Sequence, residues 1–470
     1  MRVALVAGAL VLVSLTGVAG AVAVQDEPAP PAVAPPPTAP VEQRPERGPL
    51  LPGADGAGDP SAGDPSPTGP TATGPTATGL ATALAAGLAD PALGTTPAAS
   101  VLDAATGAVL LDRRGTVPVL PASTAKIATA VAVLAAVEPG TRLTTAVRAG
   151  AAPGEVVLVG AGDPTLAGVA AEPGHPAVAR LSDLAGQVRL ALGGAPPVRV
   201  LVDDTLYTGP VLGPGWRPGY VTGGDVAPVM ALSVDAGRSG PGRTPRVDDP
   251  ALAAGTALAR ARGVPAAEVV RGTAPAGAPE LAAVRSPPVE QLVELMLTRS
   301  DNDLAEALAR RVAIARGLPA SCEGGAQALA RVLGEVAPDA APDAFALADG
   351  SGLSRLSRLH PTALSRLLAA AAADPAGRLS PVVAGLPVAG FDGTLARRYR
   401  DGPSVPAAGV VRAKTGTLEG VSALAGLLRT ADGRVLAFDL TADGIAPGAN
   451  RSAEAALDRL AATLAACGCP

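Results

Sequence analysis

Between residues 25 and 79 the chain is built mainly of Pro, Ala, Gly and Thr, and the pentad Gly-Pro-Thr-Ala-Thr occurs twice, at 69–73 and 74–78. Such a stretch has too few large apolar side chains to offset the entropy of ordering, so it reads as an extended, disordered linker. It divides the 470 residues into two unequal parts. Before it, Met1-Arg2 and an uncharged apolar run from Val3 to Val24 have the form of an export signal, with Ala19-Gly20-Ala21 as a small-residue cleavage site. The run is also long enough to cross a bilayer. Residues 1–24 are therefore read as a signal peptide or an N-terminal membrane anchor. In both cases the rest of the chain is expected outside the cytoplasm, secreted or membrane-anchored.

From Leu80 the pattern becomes globular. Only 1% of residues are aromatic while 48% are hydrophobic, so the core must be packed from Ala, Val and Leu. A short helix is expected at about 81–90, then strands at Ala98–Asp103 and Ala108–Leu111, split by the turn-like Ala-Thr-Gly at 105–107. Ala122–Val137 is apolar nearly all round, the mark of a buried helix. Residues 146–285, rich in strand patterns, Gly and Pro, look like an insertion. Helical patterns return at about 288–298 and 303–316. Val410–Lys414, Ser422–Leu428 and Val435–Thr441 then alternate like strands, and Ala453–Ala466 closes as a helix. Strands at both ends enclosing helices predict an α/β sandwich assembled from 80–145 and 286–470, interrupted by a mainly β insert at 146–285. The three cysteines are too few for a disulfide framework; one bridge from Cys322 to the Cys467/Cys469 pair is the expectation.

A net charge of −5 argues against a nucleic-acid partner. No Cys/His cluster has metal spacing, and no cofactor is implied. His175 and His360, each beside a proline, are read as surface residues. The basic residues say more. Of 37, only two are lysine, Lys126 and Lys414; every other positive charge is arginine. A lysine kept against that bias points to chemistry arginine cannot supply, such as an amine able to lose its proton. Asparagine is equally scarce, with only Asn302 and Asn450.

Both lysines fall in short motifs. Ser123-Thr-Ala-Lys126, entered through Pro121, puts Ser and Lys on one helical face, where a desolvated lysine can activate a weak hydroxyl nucleophile. The bland alternative is a capped helix with a snorkelling lysine. Ser300-Asp301-Asn302 lies between two helices; Ser, Asp and Asn are good N-caps, and Ser300…Asp303 imitates a capping box. The chemical reading makes Ser300 a hydroxyl relay and Asn302 an amide that holds substrate. Lys414-Thr415-Gly416-Thr417 ends a strand run. It is read either as an edge-strand lysine that discourages aggregation or as a cation and hydroxyl that grip a carboxylate. In the second reading Gly416 leaves room for substrate along the strand, and the Thr417 and Ser123 N–H groups form an oxyanion hole.

In this order the three motifs are the signature of penicillin-binding proteins and active-site serine β-lactamases. From about residue 80 to the end the chain resembles the class C penicillin-binding proteins, the D-alanyl-D-alanine carboxypeptidase/endopeptidase family. Pro121–Lys126, Gly162-Asp163-Pro164-Thr165-Leu166, Gly215-Trp216, Asp349–Arg355, Asp392-Gly393-Thr394-Leu395 and Ala413–Thr417 all look like its blocks. The resemblance implies a penicillin-binding-protein/serine β-lactamase-like transpeptidase fold, an antiparallel sheet flanked by helices. It implies Ser123 as nucleophile, Lys126 as its base, Ser300, Asn302 and Lys414 as further catalytic residues, and Thr415 and Gly416 as substrate-binding. Arg355 resembles a position that contacts the acidic side chain of the peptide stem. Some members carry an acidic residue soon after the Gly-Trp pair to engage the stem's free amine; here Arg217 and Pro218 follow, and Asp225 lies further on. The implied ligands are peptidoglycan peptides and β-lactams, met at the cell wall. A β-lactamase would acylate in the same way, but no Glu-x-x-Leu-Asn element of the class A kind is present to position a deacylating water. A non-catalytic wall-binding protein with a degenerate site is the other alternative.

Overall fold

The computed structural model describes residues 74–168, 176–240, 242, 244–265, 268–374 and 377–469. The expected signal or anchor at 1–24, most of the linker and His175 lie outside them. In chain order come α1 (Ala77–Leu88), β1 (Ala98–Asp103), β2 (Val109–Arg113) and, after a 3-10 turn at Ala122–Thr124, α2 (Ala125–Ala136). Next are β3 (Thr144–Ala149), β4 (Glu155–Val159), α3 (Leu181–Ala191), β5 (Arg199–Asp203), α4 (Gly219–Thr222), α5 (Pro250–Ala261), β6 (Val269–Arg271) and β7 (Glu280–Arg285). There follow α6 (Val289–Arg299), α7 (Asn302–Ala315), α8 (Cys322–Val336), β8 (Phe345–Ala346), β9 (Arg358–Leu359), α9 (Pro361–Ala372) and α10 (Ser380–Gly385). The chain closes with β10 (Arg412–Leu418), β11 (Val421–Arg429), β12 (Val435–Asp443) and α11 (Asn450–Ala466).

The main sheet is antiparallel throughout, in the order β10-β11-β12-β1-β2. Strands from the two ends of the folded chain meet at its centre, with Val101 of β1 opposite Phe438 of β12. On one face Leu80, Leu84, Val101, Leu424, Phe438, Leu457 and Leu460 join α1 and α11 in a single core. The other face carries α9, packed on β1 and β12, with α2 beneath it. Covered on both sides, β11 buries all its residues but Arg429, which is why its sequence is almost continuously apolar.

A second, mixed sheet runs β6-β5-β4-β3-β7 and is backed by α3 and α5 over a separate core of Val156, Leu158, Leu184, Val200 and Leu258. Strands β3 and β7 pair antiparallel, Thr144 opposite Arg285. The chain therefore leaves the main lobe and re-enters it at one place.

Three expectations need correction. The helix expected at about 81–90 is α1 and already starts at Ala77, within the stretch read as linker, because the Thr76 hydroxyl caps it through the Gly79 N–H at 3.0 Å and the Thr76 N–H donates to the Cys469 carbonyl at 2.9 Å. The expected bridge from Cys322 is not formed: Cys467 is bonded to Cys469, and Cys322 is free and buried. Cys322 opens α8, which packs on α2 and α7, whereas Cys467 belongs to the core between the main sheet and α11, on the opposite face. His360 is not a surface residue. It is buried at the start of α9, where its N–H donates to the Ala344 carbonyl at 3.1 Å.

Candidate active site

Two glycines let three elements converge on one serine. Ala122 takes a left-handed φ of 48°, a strained turn that carries Ser123 out of the strand-like approach and into α2. A Cβ on Gly352 would sit 1.9 Å from the Ala122 carbonyl oxygen, and Gly352 itself needs φ of 78°. A Cβ on Gly416 would meet the Pro121 carbonyl at 2.8 Å and Ala122 Cβ at 3.3 Å. Gly416 thus makes room for the turn that presents Ser123, because a Cβ there would press on Pro121 and Ala122.

Lys126 lies in the first turn of α2, fully buried, with its three N–H donors all placed. Nζ is 3.0 Å from Ser123 Oγ, 2.6 Å from Asn302 Oδ1 and 2.6 Å from the Ser351 carbonyl. Burial pushes its pKa down to about 8, against the pull of the carboxylates of Asp349, Asp301, Glu306 and Asp303. Loss of one proton leaves two N–H groups for the two shorter contacts to carbonyl-type oxygens. The lone pair then faces Ser123 Oγ and can accept its proton. The geometry selects which contact reverses.

Asn302 reaches this cluster because α6 ends abruptly. Ser300 adopts φ of 57°, the Asp301 N–H closes onto the Met296 carbonyl at 3.1 Å, and Asp301 Oδ1 caps α7 through the Leu304 N–H at 2.9 Å. The cap is Asp301, so the Ser300…Asp303 capping box is not what starts α7. Asn302 Nδ2 donates to the Asp225 carbonyl at 2.9 Å, tying this junction to the insert. The Ser300 hydroxyl makes no hydrogen bond among the described residues, and Ser300 lines a neighbouring cleft. Lys126's third donor goes to Ser351.

Lys414 sits on β10, the edge strand, yet is completely buried, which removes the reading of a solvent-facing gatekeeper. Its Nζ donates to the Thr415 carbonyl at 2.8 Å, and burial together with the charge of Lys126 holds its pKa well below the usual lysine range. Thr415 bonds Thr394, and exposed Thr417 bonds Glu454, hydroxyl to side-chain oxygen at 2.8 and 2.9 Å. Arg355 stands at the rim and donates to the Glu419 carbonyl at 3.0 Å, while the Glu419 carboxylate pairs with Arg217. A cleft of about 460 Å³ opens here, lined by Ser123, Arg217, Tyr220, Asp225, Asn302 and Thr417, among others.

Sequence reasoning missed the scaffold behind Lys126. Glu306, one turn along α7 from Asn302, is buried and accepts the Gly350 and Ser351 N–H groups at 3.0 and 2.9 Å, while Arg310 neutralises it at 3.0 Å. Asp349 accepts from Gly352 N–H, Ser354 N–H and Trp216 Nε1 at 2.9, 2.7 and 2.8 Å, which rigidifies the loop whose Ser351 carbonyl orients Lys126. The available signal was the Glu306/Arg310 pair at i, i+4, flanked by alanines and leucines on a helix.

A family model described as the D-Ala-D-Ala carboxypeptidase 3 (S13) family matches residues 80–246 and 239–464. A carboxypeptidase DacB of Mycolicibacterium smegmatis is 42% identical over 397 residues, 83% of this chain and 84% of that protein. A carboxypeptidase of Mycobacterium tuberculosis is 41% identical over 396 residues, 82% of this chain and 84% of that protein. Among solved structures, penicillin binding protein 4 of Haemophilus influenzae superposes with a TM-score of 0.65 at 22% identity, covering 82% of this chain and 97% of that one, a likeness that speaks for the fold. The penicillin-binding-protein fold expected from the motifs is thus the one observed. With its motifs brought together in space and its sequence matched across both halves of the folded chain, this protein belongs to the D-Ala-D-Ala carboxypeptidase 3 (S13) family.

Proposed function

We propose that this protein is a serine-type D-alanyl-D-alanine carboxypeptidase that also opens peptide cross-links, and that Ser123 is the residue acylated. One observation carries the assignment: Lys126 Nζ stands 3.0 Å from Ser123 Oγ with its other two donors held by Asn302 and Ser351. The Ser123 proton passes to Lys126 as Oγ bonds the D-alanyl carbonyl carbon. The negative charge that develops on oxygen is taken by the Ser123 and Thr417 N–H groups. The C–N bond breaks, and the departing D-Ala amine takes the proton from Lys126. Water, deprotonated in turn by Lys126, hydrolyses the ester and restores Ser123. Lys414 and Thr415 grip the terminal carboxylate, which restores the charge that burial disfavours on Lys414. Arg355 meets the acidic side chain of the stem.

The same serine is expected to take up penicillin, whose strained amide enters the acylation step but leaves no departing amine. Intact-mass spectrometry after incubation with benzylpenicillin, beside release of D-Ala from a D-Ala-D-Ala peptide, tests the reading. A stable adduct lost in Ser123→Ala, together with D-Ala release, supports it. Rapid return to the unmodified mass favours a β-lactamase, and neither adduct nor turnover favours a non-catalytic wall-binding protein. The apolar run at 3–24 and the linker behind it support work at the cell wall, secreted or membrane-anchored. Cell fractionation with N-terminal sequencing of the mature chain distinguishes the two.

A further inference from the structure

Arg246 and Asp303 form an ion pair that the acylation chemistry does not use. Arg246 belongs to the insert, and Asp303 stands in the first turn of α7, next to Asn302. Their side chains are only 3% and 7% exposed. Two buried charges lose their hydration, and apolar side chains of the same volume would pack as well or better. Arg246 also leaves its Nε without a partner among the described residues. What the pair supplies is position.

Arg246 donates from Nη2 to Asp303 Oδ2 and from Nη1 to the Ala236 carbonyl, both at 2.9 Å. Asp303 Oδ1 accepts the Ala227 N–H at 2.7 Å. One carboxylate thus fastens two points of the insert to the start of α7. Two residues before Ala227, the Asp225 carbonyl accepts from Asn302 Nδ2 at 2.9 Å, while Oδ1 of the same amide accepts from Lys126 at 2.6 Å. The amide has a donor end and an acceptor end of nearly the same shape, so only its partners decide which way it faces. With nitrogen toward Lys126 it would repel the ammonium. It would also donate to the lone pair of the neutral amine and block it from the Ser123 proton. The Asp225 carbonyl can only accept, and therefore keeps the nitrogen away from Lys126.

We infer that Arg246 and Asp303 are positioning residues of the reaction: by pinning the 225–227 segment to α7 they keep the oxygen of the Asn302 amide, and not its nitrogen, on Lys126. This rests on the proposal that Lys126 is the base for Ser123. The insert then serves the proton transfer as well as forming a wall of the Ser123 cleft with Arg217 and Tyr220.

The test is acylation of the full chain by benzylpenicillin, followed across the pH range in which Lys126 titrates, in the parent, Arg246→Met and Arg246→Lys. The charges that face Lys126, on Asp301, Asp303, Glu306, Asp349 and Lys414, are left in place by both variants. In Arg246→Met the segment loses its anchor, and a turned amide no longer favours the ammonium and caps the neutral amine. The plateau is expected to fall about tenfold or more, and the rising limb to move to lower pH. Loss of a nearby cation alone would move the limb to higher pH. Arg246→Lys restores the ion pair and should recover most of the plateau and the parent's limb. If Arg246→Met does not fold, the double variant Arg246→Met/Asp303→Leu removes the lone buried charge along with the anchor. Only its plateau is read, because losing the Asp303 charge lowers the limb by itself. A parent-like plateau in either folded variant overturns the inference. So does a limb that stays or moves upward in Arg246→Met, or a loss that Arg246→Lys does not repair. A parent protein that is not acylated, or whose rate has no rising limb, sinks the Lys126 reading instead.

Discussion

The proposed base, Lys126, is set by its three neighbours. Below about pH 8 Lys126 is an ammonium that donates to Ser123; above it, the free lone pair accepts from Ser123. Acylation by a β-lactam should therefore rise about tenfold per pH unit below this value and level off above it, since only the neutral amine is a base. Asn302→Asp places a carboxylate at the 2.6 Å contact, favours the ammonium and should move the rising limb upward by about 1–3 units; an unmoved limb means that another group titrates. Lys126→Arg keeps the charge but cannot lose a proton, so stopped-flow acylation should fall at least about 100-fold in a protein that still folds. Retained activity would assign Lys126 an electrostatic role. Lys126 and Ser123 were legible from their spacing, and Asn302 from its rarity. The Ser351 carbonyl was not, because a backbone oxygen leaves no mark in a sequence, and neither was the depth of Lys414, which an edge position disguises.

Between α2, β10 and the loop after Asp349 the fit is set by absent side chains. Gly352→Ala puts a methyl 1.9 Å from the Ala122 carbonyl and forces an L-residue to φ of 78°. It should cost about 2 kcal/mol or more in stability, and acylation should fall further than the loss of folded protein explains. Gly107→Ala is the control: φ is 71° but nothing lies within 4 Å, so only the backbone term of about 1 kcal/mol is expected, with acylation unchanged. Urea unfolding beside penicillin labelling separates the two effects, and equal behaviour of the variants would remove the packing argument. The elements themselves were largely readable: β11 and β12 extend the expected strands by a residue or two, and α7 begins at Asn302. What periodicity could not convey is that α7 turns Asn302 and Glu306 toward the same buried amine and the loop that orients it.

At the scale of the whole molecule, the folded part is closed by α1 and α11 over the main sheet. Leu80, Leu84 and Leu88 of α1 are buried in that core. Removing residues 25–73 should leave turnover of soluble peptides and the thermal midpoint unchanged, because that composition brings little apolar surface to bury. Removing α1 as well should lower the midpoint sharply, since burying each leucine contributes about 1.5–3 kcal/mol. A large fall in turnover from the shorter deletion would give that segment a part in catalysis. Calorimetry and D-Ala release on both truncations decide the point.

The sequence by itself determined the chemistry on offer: two lysines and a rare asparagine in three motifs, an apolar run at 3–24 followed by a stretch rich in Pro, Ala, Gly and Thr, and strand patterns at both ends of a helical middle. Those features are local, and spacing along the chain is enough to reveal them. Only the tertiary structure decided that Cys467 bonds Cys469 rather than Cys322, that His360 and Lys414 are buried, and that Gly416 yields its space to Pro121 and Ala122. It alone set Lys126 between three oxygens. Burial and contact depend on which faces a sheet turns to its helices, and residues more than 170 positions apart in the chain meet only when those faces close.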